Sequence, residues 1–92
     1  MKKVNFKNLK VPVGIRGLRE GNFMGIDMAE SVGDLMYART SGIKYKRLAE
    51  KIFDSKDEIE LDDEEIQLLN NFLAMNLLFS NVQDAIELML TD

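Results

Sequence analysis

Leu61-Asp62-Asp63-Glu64-Glu65-Ile66-Gln67-Leu68-Leu69-Asn70-Asn71-Phe72-Leu73-Ala74-Met75-Asn76-Leu77-Leu78-Phe79 is the stretch that decides the fold. Asp62 with Glu65 three residues on is a capping box, and Leu61 against Ile66 is the apolar staple that accompanies one. Acidic residues in the first turn also suit the positive end of a helix dipole. Ile66, Leu69, Phe72, Leu73 and Leu77 then recur at helical spacing, while Leu68, Met75, Leu78 and Phe79 fall off that stripe. A helix apolar nearly all round is covered on several sides. The preferred explanation is a central helix enclosed by its neighbours; a self-association surface is the other, and the two are compatible.

Three further helices are predicted around it. One covers residues 27–39, opened by Asp27 and Glu30 as a capping box, with Val32, Leu35 and Met36 inward. Gly33 inside it costs about 1 kcal/mol against Ala and marks a close helix contact. A second covers 43–54, with Tyr45, Leu48, Ala49, Ile52 and Phe53 at helical spacing. The last is capped by Ser80, with Gln83 three residues on and Val82, Ala85, Ile86, Met89 and Leu90 inward. Residues 55–61 read as a polar connector.

Residues 1–26 read differently. Leu9, Val11, Val13 and Ile15 alternate with Lys10, Pro12, Gly14 and Arg16, the period of a half-buried strand. Pro12 lacks an N–H and confines such a strand to an edge. Val4 and Phe6 extend the arm, and Gly21-Asn22 is a turn with a return strand at 23–26. The predicted fold is therefore α+β: a single domain over residues 1–92, with an extended arm or hairpin over 1–26 and about four helices over 27–92, packed around the third.

Composition narrows the chemistry. The chain has 92 residues, 46% of them hydrophobic and 30% charged, with no Cys, His or Trp. Disulfides, thiolate nucleophiles, Cys/His zinc sites and His general bases are absent. The start is basic, but Lys7 and Lys10 interrupt any signal-peptide core, and no apolar run reaches the roughly 18 residues of a membrane span. The chain reads as a soluble, cytoplasmic protein.

The acidic and glycine-bearing stretches have plainer explanations than a chemical site. Aligned to a calcium-binding EF-hand loop, the run from Asp54 to Glu65 puts Lys56 at a ligand position and Ile59 where Gly is needed. A looser divalent site from Asp57, Glu58, Asp62 and Asp63 gives way to a solvated turn plus helix cap. Adjacent acids such as Asp63 and Glu64 lack the apolar surroundings that would raise a pKa for catalysis. Gly14, Gly17, Gly21 and Gly25 match no phosphate-binding loop and read as turns. No catalytic residue, cofactor or metal is expected.

Charge is the most informative feature. Residues 1–53 hold eleven Lys/Arg against five Asp/Glu, a balance of +6; residues 54–92 hold one against eleven, −10. Either the halves form separate faces and the molecule is a strong dipole, or they interleave and neutralise each other. In the first case a basic, alternating edge docks head to tail on the acidic face of another copy. The expected contacts are Lys7, Lys10, Val11, Val13 and Arg16 on the arm and Asp57, Glu58, Asp62 and Asp63 on the acceptor. Removing residues 1–16 would then leave the helices folded and lower the assembly's mass.

Nucleic-acid binding is the alternative. Residues 45–51 look like the first helix of a helix-turn-helix unit, but the recognition position would lead with Asp62, Asp63, Glu64 and Glu65, which repel phosphate. A basic arm of Lys2, Lys3, Lys7, Lys10, Arg16 and Arg19 with Phe6 and Phe23 could instead hold phosphate non-specifically. An enzyme without Cys or His would need a pocketed carboxylate of raised pKa. The opening Lys2-Lys3-Val4-Asn5-Phe6, the arm over 9–15 and the start Leu61-Asp62-Asp63-Glu64-Glu65 resemble small prophage-encoded proteins of Bacteroidetes of the head or tail assembly type. That resemblance implies a structural role and brings no functional residue pattern with it. The expected function is a non-enzymatic interaction or self-assembly module, a homo-oligomer without membrane contact.

Overall fold

A computed structural model describes residues 1–91 and has α+β architecture. The elements run β1 (Lys2–Val4), β2 (Leu9–Pro12), α1 (Gly14–Glu20), β3 (Phe23–Ile26), α2 (Ala29–Arg39), α3 (Ile43–Phe53), β4 (Ile59–Leu61), α4 (Asp63–Leu73) and α5 (Ser80–Thr91). The strands form two antiparallel pairs, β1 with β4 and β2 with β3.

The first pair joins the two ends of the charge pattern. Lys2 lies opposite Leu61, Lys3 opposite Glu60 and Val4 opposite Ile59. The connector predicted over 55–61 is thus in part a strand. Ile59, Glu60 and Leu61 alternate there, with Leu61 buried and Glu60 facing solvent. Residues 1–16 are not one continuous arm either. The Asn5 side chain accepts the Asn8 N–H at 3.0 Å, a local turn that redirects the chain between β1 and β2. Phe6 at that bend is fully buried, and its carbonyl accepts the Met28 N–H at 2.8 Å.

The predicted return strand is present, with Leu9 opposite Ile26, Lys10 opposite Gly25, Val11 opposite Met24 and Pro12 opposite Phe23. Alternation stops at Pro12, however, and residues 14–20 are helical rather than extended. Gly21, at φ 78°, closes α1 in the left-handed conformation, with its N–H on the Gly17 carbonyl. Ile15 and Leu18 therefore belong to a helical turn and not to a strand.

The predicted helices form with boundaries within two or so residues at their starts. Asp62 caps α4 as expected: its carboxylate accepts the Glu65 N–H at 2.8 Å, and Glu65 accepts the Asp62 N–H at 3.0 Å. Asp27 behaves differently from its predicted cap. It lies one residue before the N-cap Met28 and accepts the Ala29 N–H at 3.2 Å. The predicted long third helix stops at Leu73. The Met75 and Asn76 N–H groups bond the Phe72 and Leu73 carbonyls, tightening the last turn, and Asn76 has φ 55°. Phe79, predicted as part of an enveloped helix, is 84% exposed.

The core is shared rather than centred on α4. Val4, Phe6, Leu9 and Val11 meet Val32 and Met36 of α2, Leu48 and Ile52 of α3, Leu69 and Phe72 of α4, and Ile86 of α5. The most extensive helix pairing is α2 against α3, and α5 lies across β2. Gly33 makes the first possible: a Cβ there would stand 2.7 Å from Phe53 Cβ and 2.9 Å from the Ala49 carbonyl oxygen.

Candidate interaction surfaces

The nine residues expected to mediate docking, five on the arm and four on the acceptor, are divided between the core, contacts within the molecule and the open surface. Val11 is 2% exposed and belongs to the core. Lys7 is held by Asp27, Nζ to Oδ2 2.8 Å. That hydrogen bond, reinforced by the aspartate's charge, raises the Lys7 pKa above the usual lysine value and lowers that of Asp27. Asp62 is occupied as a helix cap. Asp57 accepts a long hydrogen bond, 3.5 Å, from the Asn5 side chain of its own molecule. Lys10, Val13, Arg16, Glu58 and Asp63 are exposed.

The charged halves interleave where they meet. Lys44 pairs with Glu64 and Lys51 with Glu65, each at 3.0 Å, while β1 carries Lys3 opposite Glu60. Lys51 also donates to the Glu60 carbonyl, tying α3 to β4. The β1 segment of the basic arm is therefore paired within the molecule, against the segment that was to accept a neighbour's arm. The physical reason is burial: Val4, Phe6 and Leu61 leave water together only when β1 lies on β4.

Two features escaped the sequence. The first is the exposed unit over residues 13–24, built of α1 and its flanking strand ends. Ile15 is 72% exposed, Val13 56% and Met24 55%, with Leu18 and Phe23 also uncovered. The Val13 N–H bonds the Asn22 carbonyl at 3.2 Å and the Asn22 N–H bonds the Gly17 carbonyl at 2.9 Å, so these residues are held as one piece. Arg16 and Arg19 stand among them. The far edge of β3 has no strand partner among the described residues. Ile15 and Leu18 at helical spacing were the available signal, hidden by four glycines and by a false strand period.

The second is a groove of about 620 Å³ between β1, β2 and α5. Lys2, Lys3 and Lys10 line it with one acid, Glu58, over apolar surface from Phe23, Leu88 and Met89. The Asn5 N–H points to Met89 Sδ at 3.3 Å. A smaller cavity of about 370 Å³ lies between α2 and α3, beside Tyr37 and Phe53.

Among the described residues, no cluster of three or more Asp, Glu, Cys or His has the geometry to hold a metal ion. No helix among them is long and apolar enough to cross a membrane. No family model, curated protein or solved structure matches the chain.

Proposed function

We propose that this chain is a non-enzymatic protein-interaction module that associates with copies of itself in the cytoplasm. In this reading it is an assembly component of the kind represented by the small prophage-encoded proteins it resembles over residues 2–6, 9–15 and 61–65. The observation that carries the reading is the uncovered apolar unit over residues 13–24, next to the open edge of β3. Isolated exposed apolar side chains are ordinary, but several together on one hydrogen-bonded unit mark an interaction site. An unpaired strand edge beside them offers main-chain hydrogen bonds to a second strand. Two copies of β3 meeting about a two-fold axis would cover both sets of side chains at once.

This places self-association on apolar contact rather than on attraction between basic arm and acidic face. The two differ in their response to salt: screening weakens charge pairing and leaves apolar burial intact. The test is solution mass by light scattering at low and high salt. The expected result is a mass above one chain under both conditions, reduced to one chain in Ile15→Asp/Met24→Asp with helical circular dichroism unchanged. A wild-type chain that is monomeric at both salt concentrations overturns the proposal.

A further inference from the structure

We infer that the groove between β1, β2 and α5 receives an extended, acidic segment of a partner protein. The inference rests on the interaction-module reading and concerns a surface that shares Phe23 with the unit over residues 13–24 but not Ile15 or Met24. Three observations carry it. The first is charge. Among the described residues, Lys3 and Lys10 are exposed on the groove and make no ion pair, and Glu58 is the one carboxylate in its wall. In a chain of net charge −4, this gathers positive charge against the overall balance.

The second is the floor. Leu88 and Met89 of α5 and Phe23 of β3 offer aliphatic, thioether and aromatic surface beside the ammonium groups. Such a wall suits a segment that alternates acidic and apolar side chains. A volume of about 620 Å³ falls within the range of roughly 300–1,000 Å³ usual for ligand sites. The third is a main-chain donor held in reserve. A thioether is a weak acceptor, so the Asn5 N–H at 3.3 Å from Met89 Sδ is poorly satisfied. A peptide carbonyl entering the groove is a better acceptor for it. A nucleic-acid strand fits less well, because Phe23 is the only aromatic in the wall among the described residues and Glu58 repels phosphate.

The test uses the full chain and fluorescence anisotropy with three labelled probes: a peptide of alternating Glu and Leu, one of alternating Lys and Leu, and a single-stranded oligonucleotide. The Glu/Leu peptide should bind, and the Lys/Leu peptide should not. Lys3→Gln/Lys10→Gln should weaken binding by about tenfold or more, whereas Lys3→Arg/Lys10→Arg should retain it. Leu88→Asp should also weaken it. Ile15→Asp/Met24→Asp should leave it unchanged, so that failure of the groove and failure of the self-association surface are read separately. Equal binding of both peptides, indifference to the lysine exchange, or tighter binding of the oligonucleotide through the same lysines would overturn the inference.

Discussion

Gly33 illustrates how much one missing carbon decides. Inside a helix Gly is unfavourable by about 1 kcal/mol against Ala, so propensity alone would select Ala at this position. The neighbouring helix forbids it: the added carbon would press on Phe53 Cβ at 2.7 Å and on a backbone oxygen at 2.9 Å. Backbone cannot swing aside as a flexible side chain can. Gly33→Ala is therefore expected to destabilise the fold by about 1–2 kcal/mol, overpacking outweighing the gain in helix propensity. Urea unfolding checks it; a more stable variant would mean that α2 and α3 can separate without cost. This contact was legible in the sequence, since a glycine amid a helical pattern calls for a reason. The burial of Val11 was legible too, but its alternation with Lys10 was equally consistent with an exposed docking edge. Only the packing of α5 across β2 decides between those readings.

Elements with complete local signals were readable, and those made by distant partners were not. The capping box of α4 is a local signal: Asp62 and Glu65 satisfy each other's backbone N–H groups whatever the rest of the chain does. Asp62→Ala should lower stability by about 0.5–2 kcal/mol, seen as a lower midpoint in thermal circular dichroism. An unchanged midpoint would mean that the first turn of α4 is held by packing alone. By contrast, β4 has only three residues and exists because β1 lies beside it. No window that short carries a strand signal of its own. The seven-residue α1 was hidden for the opposite reason, since an accidental alternation ran through Pro12 into Ile15. The early stop of α4 was missed because Leu77, Leu78 and Phe79 keep up an apolar pattern after the backbone has turned at Asn76.

For the whole molecule, the α+β class was readable and the disposition of charge was not. Opposite signs in the two halves of the sequence state only that attraction exists; they do not say whether it acts within a molecule or between molecules. Here β1 lies on β4, and Lys44 and Lys51 reach Glu64 and Glu65. Of the nine residues expected at an interface, Lys10 and Glu58 do meet at one groove, while Val11, Lys7 and Asp62 are engaged in the fold itself. Removal of residues 1–16 is accordingly expected to do more than shorten an arm. It takes Val4, Phe6, Leu9 and Val11 from the core and deprives β4 of its partner. The truncated chain should lose cooperative unfolding and much of its helical circular dichroism. Retention of both would show that the helices sustain a core unaided.

The pairing of β1 with β4 also bears on how the chain comes into being. A ribosome delivers Lys2–Val4 before their counterpart Ile59–Leu61, which emerges only after α1, α2 and α3 have been made. Contacts so far apart along a chain are late and slow to close. Until then Val4 and the neighbouring Phe6 stay wetted on a nascent chain, with a strand awaiting its match. That interval is the time at which the newborn polypeptide most needs shelter from its fellows.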